Sequence, residues 1–218
     1  MVDVAGADVV AILTRAPSSG GKTRLFQALS RPPDETLLAA LLLDTIDSAS
    51  SPGVSLIVCV TPAAACGAVA RLRPALQVIA QPDGTLGERM RATMELLFES
   101  GARRVALIGS DLPAVEAADI TSAFSALTRD PASVVIGPAV DGGYYLLAAT
   151  RVPPLFDGMA WGTSSVLADT LASAARAGIT VQTVATRSDV DSVADLLQVR
   201  ATVPRSRTAA WARAHLPD

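Results

Sequence analysis

Histidine, cysteine and lysine are scarce in this chain of 218 residues. The only histidine is His215, and the two cysteines are Cys59 and Cys66. These counts exclude a disulfide framework, and they leave too few side chains for a zinc site or a histidine-based catalytic triad. Any catalysis must therefore use carboxylates, a metal ion held by carboxylates, or basic residues.

Strong positive charge and long apolar runs are also missing. The net charge of −3 argues against a nucleic-acid binder. The longest apolar run covers residues 37–43, far short of the roughly 18 residues that a membrane span needs. No basic segment precedes an apolar run at the N-terminus, so we expect no signal peptide and a cytoplasmic location. Since half of the residues are hydrophobic, the composition predicts one folded domain over residues 1–218.

Short apolar segments alternate with helical patterns along the chain. Strands are predicted at residues 9–13, 54–60, 76–80, 104–109, 133–137, 144–149 and 180–185, and the main helices at 34–48, 86–99, 114–127, 164–177, 193–199 and 205–215. This order predicts an α/β fold whose mostly parallel sheet is covered by helices on both faces. Only a short glycine-rich turn separates residues 133–137 from 144–149, which predicts a mixed sheet. Ligands of such sheets bind where the strands end.

The loop after the first strand contains Lys22, the only lysine among 18 lysine and arginine residues. Glycines at 20 and 21 would let backbone N–H groups approach phosphate oxygens, and Arg15, Lys22 and Arg24 would neutralise them. An ordinary polar loop is the alternative. A P-loop is disfavoured because Arg15 separates strand from loop and because Pro32 and Pro33 stop the following helix early.

Aspartates follow three other predicted strands. Asp111 comes after the fourth strand, Asp141 lies in the glycine-rich turn, and Asp189 and Asp191 lie two residues apart near the C-terminus. Carboxylates at strand ends suit Mg²⁺, and residues two apart in extended chain point the same way. A helix cap or a hairpin turn is the alternative explanation of each aspartate taken singly.

Further motifs join these into a pattern from residue 22 to residue 191. They are Lys22-Thr23-Arg24-Leu25, Gln81 with Gly84-Thr85-Leu86-Gly87-Glu88-Arg89-Met90, Ile108-Gly109-Ser110-Asp111-Leu112-Pro113, Gly137-Pro138-Ala139-Val140-Asp141-Gly142-Gly143-Tyr144-Tyr145-Leu146, Trp161-Gly162-Thr163-Ser164 and Asp189-Val190-Asp191. The pattern resembles the bacterial rSAM/selenodomain-associated transferases, a branch of the GT-A nucleotide-diphospho-sugar transferase superfamily. It is more distantly similar to the guanylyltransferases that activate phospholactate or phosphoenolpyruvate. It departs from the family at residues 18–21, where Pro-Gly is common, and at Thr85, where Asp is common.

The resemblance implies a single-domain GT-A fold with a nucleotide site and an acceptor site. It implies phosphate or nucleotide contacts from Arg15, Lys22, Thr23, Arg24, Gln81, Leu86, Gly87, Glu88 and Arg89. It implies that Asp111 holds Mg²⁺ (or Mn²⁺), with Asp189 and Asp191 as further metal ligands or acceptor-site groups. It also implies that Asp141, Gly142, Tyr144, Trp161 and Thr163 line the acceptor side.

Two reactions fit these residues. In glycosyl transfer from a nucleotide sugar to a small-molecule acceptor, Asp141 or Asp189 acts as base. In nucleotidylyl transfer from an NTP to a phosphorylated acceptor, no base is required. The family labels favour glycosyl transfer, and a non-catalytic nucleotide-binding module is the third hypothesis. The sequence leaves the base, the sugar, the acceptor and the oligomeric state open.

Overall fold

The computed structural model describes residues 2–217, and over that range it contains seven strands and eight α-helices. The strands are β1 (Asp8–Arg15), β2 (Val54–Thr61), β3 (Gln77–Ala80), β4 (Arg104–Ile108), β5 (Val134–Pro138), β6 (Tyr144–Ala149) and β7 (Val181–Thr183). The helices are α1 (Thr23–Ala28), α2 (Glu35–Ala49), α3 (Cys66–Leu72), α4 (Leu86–Glu99), α5 (Ala117–Arg129), α6 (Val166–Arg176), α7 (Val193–Thr202) and α8 (Arg207–His215). Met1 and Asp218 lie outside the described residues, and the single domain over 1–218 stays a prediction.

All seven strands form one sheet in the order β3-β2-β1-β4-β6-β5-β7. The pairs are parallel except for β6, which runs antiparallel to both β4 and β5. The antiparallel direction follows from the short β5–β6 connection, since a parallel pair needs a crossover of a dozen or more residues. The predicted α/β class with a mixed, mostly parallel sheet is therefore confirmed. The ends of β1, β4 and β5 and the start of β6 share one edge of the sheet.

Helices cover both faces of the sheet, because successive residues of a strand point to opposite sides. Val10 and Ile12 of β1 belong to a hydrophobic cluster that includes residues of α2 and α5. Val9 and Ala11 belong to another cluster, which includes residues of α4 and α6. All four side chains are fully buried. Burial on both faces explains why β1 is continuously apolar rather than alternating.

A third hydrophobic cluster joins the C-terminal helices α7 and α8 to α1 and α2. Phe26 of α1, Leu37 of α2, Leu196 of α7 and Trp211 of α8 are buried in it, together with Val190. The indole N–H of Trp211 donates to the Asp34 carboxylate at the start of α2, over 2.9 Å. Because Val190 lies between Asp189 and Asp191, this cluster fixes those aspartates next to α1.

Several predicted boundaries differ from the structure by a few residues, and two of these differences have local reasons. The helix predicted from residue 114 begins at Ala117, because the backbone N–H of Glu116 donates to the Asp119 side chain in a helix cap. The strand predicted at 180–185 is reduced to Val181–Thr183, since only three residues of β5 pair with it. Across the described part of the chain, no helix combines the length and hydropathy that crossing a membrane requires.

Candidate functional site

The loop between β1 and α1 turns the only lysine inward. Gly20, Gly21 and Lys22 follow one another with φ values of 69°, 147° and 48°. Positive φ is ordinary for glycine and uncommon for lysine, so the backbone at Lys22 is held in a left-handed conformation immediately before α1 starts at Thr23. The side chain of Lys22 is only 13% exposed. The sequence placed this lysine in the loop but did not predict its direction.

The ammonium group of Lys22 lies among three carboxylates. It forms an ion pair with Asp111, it lies 2.5 Å from Oδ1 of Asp191, and it lies 3.9 Å from Oδ2 of Asp189. The predicted contact of Lys22 with phosphate stays a prediction, since its partners here are acidic.

The three carboxylates form a cluster that we call the aspartate cluster: Asp111, Asp189 and Asp191. Each offers an oxygen atom within 4.8 Å of those of the others. A backbone hydrogen bond of 3.1 Å, from the N–H of Val190 to the carbonyl of Asp111, ties the two segments together. Three carboxylate oxygens converging on one point are the donor set that a hard divalent cation prefers. The cluster thus fits the predicted Mg²⁺ site, and Asp189 and Asp191 present their carboxylates to the same point.

Burial and mutual charge perturb the groups of the aspartate cluster. Burial, followed by the charge of Asp111, raises the pKa of Asp189 to about 6. Burial alone would lower the pKa of Lys22, but the charge on Asp111 and hydrogen bonds to Asp111 and Asp191 outweigh it, so the pKa of Lys22 is raised. A surplus of negative charge around one ammonium explains both directions.

Two other cations of the loop are free to meet an anionic ligand. Arg15 at the end of β1 and Arg24 in α1 are exposed, and neither side chain has an ion-pair or hydrogen-bond partner among residues 2–217. The Cδ of Arg15 lies beside Gly21, so this guanidinium starts from the loop itself. Thr23, the first residue of α1, is exposed next to Lys22. This placement is consistent with the predicted phosphate contacts of Arg15, Thr23 and Arg24, which no observation tests.

The side chain of Gln81 forms hydrogen bonds that stabilise the fold. Its side-chain N–H groups donate to the carbonyls of Thr14 and Cys59, each over 2.8 Å. Its carbonyl oxygen accepts from Arg89 of α4 over 3.1 Å. Gln81 therefore ties the ends of β1 and β2 to α4 and orients Arg89. Nucleotide contacts by Gln81 and Arg89 stay predictions.

The start of α4 is fixed by a capping box. Thr85 and Glu88 exchange hydrogen bonds, with the Glu88 carboxylate accepting from the backbone N–H of Thr85 over 2.7 Å. Glu88 thus has a structural task in addition to its predicted nucleotide contact, which stays untested.

A pocket of about 270 Å³ opens beside the aspartate cluster, between β4, β6 and the start of α4. Asp111 and Asp189 form part of its wall, and the rest includes Asp141, Tyr144, Trp161, Thr163, Leu86 and Met90. No lysine, arginine or histidine is among the residues that line it within the described range 2–217. The structure thus brings four of the five predicted acceptor residues to one pocket, with apolar walls and three carboxylates.

Trp161 is packed tightly into the wall of this pocket. A Cβ atom added at Gly87 would lie 2.4 Å from Nε1 of Trp161, so only glycine leaves room for the indole. The Trp161 ring meets Tyr144 edge to face, with centroids 6.2 Å apart. At position 142, the fifth predicted acceptor residue, packing explains why the residue is glycine. A Cβ at Gly142 would lie 2.2 Å from the carbonyl oxygen of Ser164.

Two residues of the site were missed by sequence reasoning. Met90 lines the pocket one helical turn after Leu86, and the i, i+4 spacing could have indicated it. Arg187 makes a two-pronged ion pair with Asp119, over 2.8 and 3.0 Å. Its backbone N–H donates to Pro138 and its carbonyl accepts from Val140. Arg187 thus holds the segment before Asp189 against the turn that carries Asp141, and no sequence signal points to these contacts.

Comparison with known proteins places the chain in a family. The family described as "Uncharacterized protein conserved in bacteria (DUF2064)" matches residues 45–163. A phosphoenolpyruvate guanylyltransferase of Geodermatophilus obscurus is 34% identical over 165 residues, covering 72% of this chain and 74% of the relative.

Solved structures show the same fold. A candidate nucleotide-diphospho-sugar transferase from Desulfovibrio desulfuricans G20 is 29% identical, with a TM-score of 0.85 and coverage of 96% of this chain and 95% of that one. The structure of CMP:2-keto-3-deoxy-manno-octonic acid synthetase in complex with CTP is 16% identical, with a TM-score of 0.56 and coverage of 92% and 99%. The chain therefore belongs to the DUF2064 family of bacterial proteins and is a transferase with the fold of the nucleotide-diphospho-sugar transferases.

Proposed function

We propose that this transferase moves a sugar from a nucleotide-sugar donor to a hydroxyl group of a small-molecule acceptor, with a divalent metal such as Mg²⁺ (or Mn²⁺). The observation that carries the proposal is the chemistry of the pocket. Its carboxylates accept hydrogen bonds from hydroxyl groups, and its aromatic and apolar walls suit the C–H faces of a sugar ring.

The donor's diphosphate is assigned to the loop side of the aspartate cluster. Arg15 and Arg24 are exposed there, and neither has an ion-pair or hydrogen-bond partner among residues 2–217. Asp111, Asp189 and Asp191 would hold the metal, which supplies charge neutralisation for the leaving diphosphate. Cations on one side and the pocket on the other give the donor a single orientation, with its sugar toward Trp161.

Asp141 is assigned the role of base. Its carboxylate lines the pocket and accepts a hydrogen bond of 2.9 Å from the backbone N–H of Gly143, which fixes its direction. In the reaction, the acceptor oxygen forms a bond to the anomeric carbon, and the bond from that carbon to the diphosphate oxygen breaks. The nucleoside diphosphate leaves with the electron pair, and Asp141 takes the proton of the acceptor hydroxyl.

Nucleotidylyl transfer is the second candidate, favoured by the guanylyltransferase that shares 34% identity. In that reaction an oxygen of a phosphorylated acceptor attacks the α-phosphorus of an NTP, and pyrophosphate leaves. The phosphorylated acceptor would have to enter a pocket with three carboxylates and no cation among its described lining residues. The metal would neutralise Asp111 and Asp189, but Asp141 would still repel the acceptor's phosphate, so the pocket suits a hydroxyl acceptor better.

The two reactions are distinguished by the ligands that bind and the products that form. The protein with Mg²⁺ is heated with each NTP and with each nucleotide sugar in turn, and the unfolding midpoint is recorded. We expect nucleotide sugars to raise the midpoint, and turnover with an acceptor mixture to release nucleoside diphosphate. Stabilisation by an NTP alone, with release of pyrophosphate, contradicts glycosyl transfer.

Two variants test the residue assignments. Asp111→Asn should abolish Mg²⁺-dependent nucleotide binding. Trp161→Leu should weaken binding of the nucleotide sugar while leaving binding of the matching nucleoside diphosphate unchanged, since the ring is assigned to the sugar alone. Equal losses for both ligands would contradict the assignment of Trp161.

A further inference from the structure

The aspartate cluster already contains a cation supplied by the chain. Lys22 contacts Asp111 and Asp191 directly, and Asp189 is the third carboxylate around it. The loop that carries the ammonium to this point has positive φ at Gly20, Gly21 and Lys22. The neighbouring cations Arg15 and Arg24 remain in solvent, so the contact of Lys22 is selective.

We propose that Lys22 is an exchangeable internal counter-cation of the aspartate cluster, which a divalent metal must displace in order to bind. The inference rests on the metal site of the proposed function. It goes beyond that function because it gives Lys22 a role in the metal-free enzyme. It also predicts that the Lys22 side chain competes with a metal ion for the aspartate cluster.

Geometry makes the two occupants mutually exclusive. Mg²⁺ requires oxygen ligands at about 2.0 to 2.1 Å in octahedral arrangement. The ammonium nitrogen lies 2.5 Å from Oδ1 of Asp191 and pairs with Asp111 as well, so it fills the space between the carboxylates where an ion would lie. A metal ion there would also repel the ammonium group at contact distance.

Charge explains why a resident cation is useful and why it can be exchanged. Three carboxylates this close are unfavourable without a positive group between them. One ammonium neutralises them in part, and a divalent ion does so better. Exchange leaves the ammonium on a flexible four-carbon stem beside Arg15 and Arg24, where it adds a third positive charge to the side assigned to the donor's phosphates.

The first test measures metal affinity without any nucleotide. Mn²⁺ binding is followed by calorimetry and by electron paramagnetic resonance for the parent, Lys22→Met and Arg24→Met. Both variants lose one positive charge from the same loop, but only Lys22 touches the carboxylates. We expect Lys22→Met to bind Mn²⁺ about tenfold or more tightly than the parent, and Arg24→Met to change the affinity by less than about threefold.

The outcomes separate this proposal from the proposed function. Equal affinity of the parent and Lys22→Met, or equal gains in both variants, overturns the competition by Lys22 while leaving the metal site intact. Absence of Mn²⁺ binding in all three proteins overturns the metal site itself and the competition with it. Circular dichroism with and without Mn²⁺ establishes that the variants fold.

The second test uses the unmodified protein and therefore does not depend on a variant folding. Lys22 is the only lysine of the chain, so acetylation of a lysine side chain reports this position alone. The rate at which the peptide containing Lys22 is acetylated is measured by mass spectrometry in chelator and in saturating Mg²⁺, at constant ionic strength. We expect Mg²⁺ to raise the rate about fivefold or more, because the ammonium leaves the carboxylates. An unchanged or lower rate overturns the proposal.

Discussion

Replacing Gly87 by alanine should destabilise the protein and disturb the pocket, although alanine is the better helix former. Gly87 is the second residue of α4, and the indole of Trp161 lies directly against it. A Cβ at this position would be 2.4 Å from Nε1 and 2.7 Å from Cε2 of Trp161, closer than non-bonded atoms approach. The rigid ring must therefore move as a unit, which disturbs the pocket wall that it forms.

The expected magnitude is the difference between two opposing effects. Alanine in place of glycine in a helix stabilises by up to about 1 kcal/mol. Forcing a methyl group into a packed wall costs about 1 to 3 kcal/mol. We expect a net loss of up to about 2 kcal/mol in the free energy of unfolding for Gly87→Ala.

Gly67 supplies a matched control, because it is likewise the second residue of its helix, α3. A Cβ at Gly67 would have one neighbour within 4 Å, the end of the Arg71 side chain at 3.8 Å. Gly67→Ala should therefore stabilise by up to about 1 kcal/mol. Urea unfolding followed by circular dichroism compares the two variants. Tryptophan fluorescence of Gly87→Ala, measured against Gly67→Ala to account for Trp211, reports movement of Trp161. If Gly87→Ala stabilises as much as Gly67→Ala, the tight packing of Trp161 is refuted.

Three further predictions concern charge and capping. Burial and nearby carboxylates raise the pKa of Asp189 to about 6, so the stability that its neutral form gives is present below about pH 4 and lost as the pH rises through about 6. In the presence of a chelator, Asp189→Asn should therefore stabilise the protein at pH 8 by about 1 kcal/mol after allowing for solvent screening. The same variant should not stabilise the protein at pH 4. Equal effects at the two pH values in thermal unfolding contradict this prediction. Arg187→Ala removes the ion-pair partner of the buried Asp119 and should lower the free energy of unfolding, measured in urea, by about 3 kcal/mol. Arg187→Lys should lie between Arg187→Ala and the parent. A loss below about 0.5 kcal/mol for Arg187→Ala contradicts a stabilising role of this ion pair. Thr85→Ala removes the cap of α4 and should cost about 1 kcal/mol, and an unchanged unfolding midpoint would show that Glu88 alone suffices.

The fold was largely predictable because its strands are buried on both faces. A continuously apolar run such as the one in β4 predicts a central strand, independently of which helices pack against it. The short turn before β6 predicts the antiparallel direction of that strand. The convergence of Asp111 and Asp189 was predictable for the same reason, since residues that follow strands of one sheet collect at one edge.

Side-chain directions in the site were not predictable from the sequence. Lys22 faces the aspartate cluster because three consecutive residues have positive φ; the two glycines permit this at positions 20 and 21, but nothing in the sequence indicates the left-handed conformation of Lys22 itself. The bonds of Gln81 to Thr14 and Cys59 join strand ends that are distant in sequence. The contact of Trp161 with Gly87 likewise depends on how an irregular segment packs on α4. Each of these features arises from tertiary packing, on which local sequence has little influence.

Lysine rather than arginine at position 22 follows from the task that the structure assigns to this side chain. An exchangeable cation must be strong enough to hold three carboxylates and weak enough to leave them, and an ammonium acts as a point charge without fixed geometry. A guanidinium forms two parallel hydrogen bonds with a carboxylate and holds it more firmly. Lys22→Arg should therefore lower Mn²⁺ affinity, the opposite sign to Lys22→Met, and weaken Mg²⁺-dependent nucleotide binding as well. Calorimetry on both variants decides the matter, because an unchanged or higher Mn²⁺ affinity for Lys22→Arg would mean that position 22 does not act by occupying the cluster.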